Sequence, residues 1–319
     1  MLCIYLKNSS PFFCLAAEEY FLKNFDDDIF MLWQSENTVV VGKHQNMFGE
    51  INYRFVRENN IAVARRISGG GTVFHDAGNV NFTFIKTTKN QAEISFSRFT
   101  QPVVEALAKL DIVATTSGRN DLLINGKKIS GNAEHIYKNR VLHHGTLLYN
   151  SDLKNLGNAI KIVPGKYTSK AVQSNRSEVG NIVSFLKKRI DTGEFIRFLL
   201  NNQLEKSNTV FYELNETDNK GIESLVKNKF VSKAWNFGFS PKYTFKNRVE
   251  IEGKSIEVEL IVKRGKIENA QLSGSYFPQN TAQTVAEELK NEWHIFDNVR
   301  NVILQTLSTV SDDVVYCFF

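Results

Sequence analysis

The sequence has 319 residues, 42% of them hydrophobic and 12% aromatic, so it can bury a substantial core, and its length suggests two domains. Its formal charge of +5 is too small for this length to indicate a nucleic-acid partner, although it suits an acidic protein partner. No apolar run approaches the roughly 18 residues that span a bilayer, and no signal peptide is evident, so we expect a cytoplasmic protein without a membrane partner.

The first sixty residues predict strands that alternate with helices. The predicted elements are a strand at residues 2–6, a helix at 10–25, strands at 29–33 and 38–41, and a helix at 50–59. Ser10 and Pro11 supply an N-cap and a first-turn proline for the first helix, in which Glu18 and Glu19 fit an amphipathic pattern. The polar residues 34–37 make the two strands beside them hairpin-like.

A glycine-rich loop between two predicted strands carries the clearest chemical signal. Strands at 61–67 and 80–85 flank the loop. Arg65 and Arg66, at the end of the first strand, precede its three glycines, and His75 and Asp76 follow the glycines. Glycine allows positive φ and close backbone approach, so the N–H groups of this loop can point outward toward an anion. The glycines alone would fit a flexible hairpin turn equally well, but the flanking charges favour a phosphate or carboxylate site.

The middle of the chain predicts helices, a tight hairpin and a basic segment. The elements are a helix at 95–110, strands at 112–115, 122–124, 128–129 and 141–149, and helices at 192–208 and 215–230 around a strand at 209–213. Asn125-Gly126 is a strong signal for a hairpin between its flanking strands. Segment 153–177 contains no acidic residue, and its basic residues are Lys154, Lys161, Lys166, Lys170 and Arg176. A solvated surface loop explains this composition, and so does a mobile lid.

The pattern changes near residues 235–241, where we place a domain boundary. Strands at 243–245, 248–251, 256–262 and 267–273 are followed by helices at 281–293 and 297–307, which makes a small α+β unit. No catalytic cluster is visible in this unit. The predicted domains are therefore residues 1–238 and 241–319.

Five blocks of sequence together resemble one family. They are, in chain order, RRISGGGTVFHDAGNVNF at 65–82, GRNDLLINGKKISGNA at 118–133, HHGTLLYNSDL at 143–153, NRSEVGNI at 175–182 and WNFG at 235–238. This set resembles the lipoate–protein ligases of the biotin and lipoate ligase superfamily, and its glycine block resembles the lipoate branch rather than the biotin branch. The resemblance implies an α+β fold in which a mixed-sheet catalytic domain is followed by a small α+β accessory domain.

The resemblance also implies a reaction. Hydroxide is too poor a leaving group for an acid to join an amine directly, so ligases of this family convert lipoate and ATP to lipoyl-AMP, with Mg²⁺, before transfer to a lysine of a lipoyl domain. The implied acceptors are the E2 subunits of 2-oxoacid dehydrogenases and the glycine cleavage H protein. We expect the enzyme to be a monomer.

Two alternative functions are compatible with the sequence. One is ATP-independent octanoyl or lipoyl transfer, as in related transferases that use a cysteine nucleophile or a lysine-assisted direct transfer. Cys3, Cys14 and Cys317 match no such position, and their odd number without metal-like spacing indicates a reducing compartment. The other alternative is a non-catalytic lipoate-binding protein, against which the intact motif residues argue.

The resemblance assigns roles to residues at matching positions. Lys128, directly before Ile129-Ser130-Gly131, is the expected catalytic residue and would contact both the carboxyl group of the acid and the α-phosphate. Lys127 should point away, because adjacent strand residues face opposite sides. The residues expected to bind ATP are Arg66, Gly71, Thr72, Val73, Phe74 and Lys128. Those expected to bind lipoate are Lys128, Arg66, Ser68, His75 and His144.

A magnesium site is the last expectation for the active site. Asp121 is the candidate ligand, because Mg²⁺ prefers one or two carboxylates together with phosphate oxygens. Asn120 beside it would order the site. An ordinary turn-capping pair explains Asn120 and Asp121 nearly as well when the family is left aside.

Overall fold

The structure is a computed structural model that describes residues 1–88, 95–118, 120–175 and 177–319. Its strands are β1 Leu2–Leu6, β2 Ile29–Trp33, β3 Thr38–Val41, β4 Ala62–Arg65, β5 Val73–His75, β6 Asn79–Thr87, β7 Thr115–Ser117, β8 Asp121–Ile124, β9 Lys127–Tyr137, β10 Arg140–Leu148, β11 Tyr167–Ser169, β12 Val210–Phe211, β13 Tyr243–Ile251, β14 Lys254–Lys263 and β15 Lys266–Ser273. Its α-helices are α1 Pro11–Asn24, α2 Tyr53–Glu58, α3 Phe96–Ala108, α4 Leu153–Ala159, α5 Thr192–Leu204, α6 Glu216–Leu225, α7 Lys233–Asn236, α8 Gln279–Glu288, α9 Phe296–Thr306 and α10 Asp312–Tyr316. None of the described helices is long and apolar enough to cross a membrane. Arg176 of the predicted basic segment lies outside the described residues.

A mixed sheet forms the core of the larger, N-terminal part of the chain. Its strand order is β12-β1-β2-β6-β10-β9-β8-β7, with β12, β1 and β2 parallel and the other neighbours antiparallel. In the central strand β6, Val80, Phe82 and Phe84 pack on one face in a core that includes α3 and α5. Asn81 and Thr83 lie on the opposite face, because side chains alternate along a strand. The α+β fold with a mixed sheet is thus confirmed, and one face of that sheet carries polar groups.

The strands β2 and β3 do not form the predicted hairpin. β2 pairs with β1 and β6 in the large sheet, whereas β3 pairs with β4 and β5 in a separate three-stranded sheet. All five residues of β2 and all four of β3 are buried. Neither strand therefore alternates between buried and exposed residues, and its pattern does not show to which sheet it belongs. Residues 34–37 therefore cross between two sheets instead of turning within one.

Other predicted elements are confirmed or corrected locally. The hairpin at Asn125-Gly126 is confirmed, and both residues have positive φ, 49° and 81°, which suits a tight two-residue turn. The strand predicted at 112–115 is wrong, because β7 begins at Thr115 and Ile112 packs in the core after α3. The amphipathic pattern predicted for α1 is also wrong, since Glu18 and Glu19 are both buried.

The C-terminal unit is an antiparallel sheet of order β11-β13-β14-β15 that packs with α8, α9 and α10. The first two strands predicted there are one strand, β13, and the pattern did not predict α10. The edge strand β11 comes from segment 153–177, which also contains α4, so this segment is not a structureless loop throughout. Phe48, from the N-terminal part of the chain, is buried in the same core.

A buried arginine ties the two parts of the chain together beneath the glycine loop. Arg65 ends β4 and has no exposed surface. It donates to the carbonyl oxygens of Gly42 (2.9 Å), Gln45 (2.9 Å) and Asn236 (2.8 Å), and to Ser240 Oγ (2.9 Å). Burial lowers the pKa of Arg65 to about 10, so its guanidinium stays charged at neutral pH. The cluster therefore fixes the start of the glycine loop against residues near the predicted domain boundary.

Replacing Arg65 should destabilise the whole fold. In Arg65→Met, several buried carbonyl groups lose their donors, and we expect the free energy of unfolding in urea to fall by about 3–5 kcal/mol. Arg248→Met is the control, because the Arg248 side chain is 77% exposed and pairs with Glu257 at the surface; its free energy of unfolding should change by no more than about 0.5 kcal/mol. Equal losses in the two variants would contradict the role of the Arg65 cluster.

Candidate active site

A cavity of about 440 Å³ lies between the glycine loop and the polar face of the large sheet. The sequence-predicted residues that line it are Arg66, Gly71, Thr72, Val73, His75, Asp121, Lys128 and His144. Asn120 lines it as well, and the lining residues that the sequence did not single out include Leu15, Trp33, Val40, Asn81, Thr146 and Ser174. The hairpin that carries Lys128 and the arginine-led glycine loop thus meet at one site, although they are far apart in sequence.

Arg66 holds the glycine loop in shape. Its Nη2 donates to the carbonyl oxygens of Gly69 and Gly71, each at 2.6 Å, and its Nε donates to Ser68 Oγ at 3.0 Å. Burial lowers the pKa of Arg66 to about 10, which leaves the group charged at neutral pH. Gly70 sits at a φ of +85°, which a residue with a side chain adopts with strain. Arg66 therefore supplies positive charge to the cavity while most of its N–H groups bind the loop itself.

Phe74 and Ser68 lie outside the cavity lining. Phe74 is 1% exposed and packs in the core formed around the three-stranded sheet, on the opposite side of β5 from Val73 and His75. The Phe74 side chain therefore cannot contact a nucleotide in the cavity. The prediction that Phe74 binds ATP is left with the backbone of this residue. Ser68 is fully buried and its Oγ lies 2.6 Å from His144 Nε2 and 3.0 Å from Arg66 Nε, so any effect of Ser68 on a ligand passes through these two residues.

A buried glutamate orients His144. Glu18 has no exposed surface, and its carboxylate lies 2.8 Å from His144 Nδ1 and accepts a 2.6 Å hydrogen bond from Thr83 Oγ1. Thr83 in turn accepts a hydrogen bond from Trp33 Nε1 at 3.1 Å. On the other side of the imidazole, this chain of contacts continues through Ser68 to Arg66. Sequence reasoning missed Glu18; the signal was an acid in the middle of an apolar helix.

His75 contributes an uncharged imidazole to the cavity wall. Its Nδ1 lies 3.3 Å from Ser35 Oγ, and its Nε2 is buried without a partner among the described residues. Burial lowers the pKa of His75 to about 3, with further contributions from Arg66 and His144, so the ring is neutral at physiological pH. Trp33 packs edge-on against it, with ring centroids 5.4 Å apart. An apolar ligand segment would therefore meet a wall without charge here.

Lys128 and Lys127 point in different directions, as alternation along β9 requires. Lys128 Nζ lies 2.9 Å from Asp121 Oδ1, and both side chains are about a quarter exposed, at 23% and 28%. Lys127 pairs with Glu178 at 3.2 Å, is 49% exposed, and is not part of the cavity lining. No group of three or more His, Cys, Asp or Glu side chains able to hold a metal occurs among the described residues. Asp121 and Lys128 thus form an ion pair in the cavity wall.

Residues 172–175 of the basic segment lie against the glycine loop. Ser174 Oγ accepts hydrogen bonds from the Thr72 backbone N–H at 2.8 Å and from Gln45 Nε2 at 3.1 Å, and it donates to the Glu50 carboxylate. Glu50 is buried, and burial raises its pKa. Ser174 thus engages one of the loop donors that the sequence assigns to the nucleotide. No local pattern could indicate this contact, because Ser174 lies 124 and 129 positions from Glu50 and Gln45.

Comparison with known sequences identifies the same family over most of the chain. Residues 10–203 match the family described as lipoyl protein ligase A/B catalytic domain, and residues 240–311 match the bacterial lipoate protein ligase C-terminus. Lipoate–protein ligase 1 of Staphylococcus aureus is 38% identical over 297 residues, which cover 92% of this chain and 90% of that protein. Lipoate-protein ligase LplJ of Bacillus subtilis is 39% identical over 274 residues, which cover 84% and 83% of the two chains.

Comparison with solved structures agrees. The bi-partite lipoate protein ligase of Thermoplasma acidophilum, described together with its E2 lipoyl domain, superposes with a TM-score of 0.64 at 25% identity. The match covers 74% of this chain and 96% of that one. The sequence blocks, the cavity that they line and these relatives agree with one another: the chain belongs to the lipoate–protein ligase family.

Proposed function

We propose that this enzyme joins lipoate to ATP, forming lipoyl-AMP and pyrophosphate, and then passes the lipoyl group to a lysine of a lipoyl domain. The observation that carries the proposal is that Lys128 and the loop ordered by Arg66 line a single cavity. Two anions must meet for this reaction, and fixed cations and backbone donors stabilise them better than water does because they need no reorganisation.

Lys128 is the residue that we place at the reacting atoms. A lipoate carboxylate oxygen attacks the α-phosphorus, the bond from that phosphorus to the β-phosphate bridge breaks, and pyrophosphate leaves with the electron pair. Negative charge builds on the α-phosphate oxygens, where an ammonium acts as a point cation without being consumed. Lys128 already pairs with a carboxylate oxygen at 2.9 Å, so its ammonium group lies in the cavity where anionic oxygens would bind.

The cavity lining offers groups that suit both substrates. Gly71, Thr72 and Val73 present the loop backbone on which we place the nucleotide, and Phe74 would add its backbone alone. The lining also includes Leu15, Trp33, Val40 and the neutral His75, which suit the apolar chain of lipoate. His144, held by Glu18 and Ser68, and Arg66 line the same cavity.

Magnesium fits the oxygen groups beside Lys128. Asp121 and Asn120 both line the cavity, and Asn120 Oδ1 is buried without a partner among the described residues. One carboxylate, one amide oxygen and phosphate oxygens are a donor set that Mg²⁺ accepts. We place the ion at Asp121, where it would neutralise phosphate charge.

The acceptor that we propose is a lipoyl domain, such as those of the 2-oxoacid dehydrogenase E2 subunits or the glycine cleavage H protein. The T. acidophilum relative is described with a partner of this class, which supports the choice. We further propose a monomer in the cytoplasm, with a catalytic domain at 1–238 and an accessory domain at 241–319. The first family match ends at residue 203 and the second begins at residue 240, which supports that division.

Cysteine-dependent acyl transfer is the weaker candidate. Cys3, Cys14 and Cys317 are buried free thiols, and none lines the cavity. Burial raises the pKa of Cys3 and of Cys317 to about 11 and raises the pKa of Cys14 well above its ordinary range, which disfavours the nucleophilic thiolate.

Lipoate-dependent exchange of pyrophosphate into ATP tests the first half-reaction. Lys128→Ala should lower the exchange rate by about 100-fold or more, since one stabilising group at the developing charge is lost. Lys127→Ala is the matched control, because Lys127 pairs with Glu178 outside the cavity. The exchange rate of this variant should stay within about twofold of wild type. Equal losses in both variants would remove Lys128 from the mechanism. Absent exchange in the wild type, with octanoyl transfer from a carrier protein, would favour the transferase.

Two glycine variants test whether Ser174 holds the basic segment on the nucleotide loop. A Cβ atom at Gly71 would lie 3.1 Å from Ser174 Oγ and 3.3 Å from Ser174 Cβ, so Ser174 must shift by a few tenths of an ångström in Gly71→Ala. Hydrogen exchange of the Thr72 amide, which donates to Ser174 Oγ, should speed up by about threefold or more as this contact weakens. Gly69→Ala is the control, because a Cβ there meets nothing within 4 Å. Unchanged exchange in Gly71→Ala would mean that Ser174 does not restrain the segment.

A further inference from the structure

An asparagine amide in the cavity has a hydrogen-bonding group to spare. Asn81 lies on β6, is 2% exposed and lines the cavity. Its Oδ1 accepts a 2.9 Å hydrogen bond from Asn79 Nδ2, while its Nδ2 is buried without a partner among the described residues. The hydrogen bond runs from Asn79 to Asn81, and Asn79 Oδ1 is likewise buried without a partner among the described residues. With the two amides in this orientation, Asn81 offers a donor to a ligand.

The sheet register places Asn81 in one row with Trp33 on one side and Thr146, which leads toward Lys128, on the other. Asn81 is directly opposite Trp33 on β2 and Thr146 on β10, and side chains of opposed residues share one face of a sheet. Thr146 Oγ1 accepts a 3.2 Å hydrogen bond from the Gly131 N–H, and Gly131 lies beside the Lys128 ammonium. Strand spacing puts Asn81 and Gly131 about 10 Å apart across β10. A small group bound above Thr146 would lie within reach of both Asn81 and Lys128.

An unpartnered amide in a buried position is costly, by about 1–3 kcal/mol, unless a ligand supplies an acceptor. Lipoate has strong acceptors at one end, its carboxylate oxygens, whereas its ring sulfurs are weak acceptors. The row from Trp33 to Thr146 also fits an acid whose apolar chain lies toward Trp33 and whose carboxyl group lies toward Lys128.

We propose that Asn81 is an acid-binding residue whose Nδ2 donates a hydrogen bond to one carboxyl oxygen of lipoate. This proposal rests on the proposed function and deepens it. The oxygen that binds Asn81 is the one that does not attack the α-phosphorus, so it becomes the carbonyl oxygen of lipoyl-AMP and keeps its donor. Lys128 faces the other oxygen, which forms the new bond to phosphorus while the pyrophosphate bond breaks. Together the two side chains orient the carboxyl group for the attack.

The test compares the binding of lipoate and lipoamide by calorimetry without nucleotide. Asn81→Leu should raise the Kd for lipoate about 10- to 100-fold, because a hydrogen bond to a charged group is lost, and should raise the Kd for lipoamide by less. Asn81→Asp keeps the size of the side chain but repels a carboxylate and accepts from the lipoamide NH₂ group. It should therefore invert the preference, so that lipoamide binds more tightly than lipoate.

Gln203→Glu is the matched control for Asn81→Asp. Gln203 is a buried amide in α5, 3% exposed and outside the cavity lining, so its exchange for an acid should leave the ratio of the two Kd values unchanged. A wild-type ratio in Asn81→Asp would overturn the proposal, and so would an equal weakening of both ligands. An inverted ratio in a protein without pyrophosphate exchange would keep the acid-binding role of Asn81 and reject the ligase mechanism instead. Pyrophosphate exchange together with an unchanged ratio of the two Kd values in Asn81→Asp would reject the acid-binding role of Asn81 and keep the ligase mechanism.

Discussion

Two consecutive buried arginines set the shape of this site, because they leave the chain on opposite sides. Neighbouring residues of an extended backbone face opposite ways, so Arg65 reaches Gly42, Gln45 and Asn236, whereas Arg66 reaches the glycine loop. Both guanidinium groups bind mainly carbonyl oxygens. Burial lowers the pKa of each only to about 10, so both stay charged at neutral pH and the cavity gains positive potential from rigid groups. The loop is thereby pre-organised for anions, which is what a reaction between two anionic substrates requires.

The large sheet meets the opposite requirement, since it must support a polar site without losing its own core. β6 does this by alternation: Val80, Phe82 and Phe84 enter the core, and Asn81 and Thr83 face the cavity side. Thr83 on that side is bonded to Glu18, whereas Asn81 keeps an amide donor without a partner among the described residues. Alternate residues of β6 therefore pack in the core and face the cavity side.

Local sequence patterns predicted local structure, but they could not predict contacts between segments that are distant in the sequence. Asn125-Gly126 sets its own turn, so the hairpin that carries Lys128 could be predicted. The partners of β2 and β3 could not, because fully buried strands carry no alternation. For the site, the strand β5 within the glycine loop was the missing element: once 73–75 is a strand, alternation turns Val73 and His75 toward the cavity and Phe74 toward the core. Glu18 was misread because an acid in a helix usually faces solvent.

The segment between the C-terminal sheet and the glycine loop links the two mechanically. Ser169 ends β11, which is paired with β13, and Ser174 is bonded to Thr72. Five residues extend at most about 17 Å, so the two attachments cannot lie farther apart than this. With both attachments in place, a large displacement of the C-terminal sheet would pull on Ser174 directly, and loss of the Ser174 contact would release the sheet from one of its ties to the loop. Phe48, which lies in the C-terminal core, and Arg65, which bonds Ser240, are further ties. The C-terminal unit and the glycine loop are therefore coupled by covalent chain length as well as by packing.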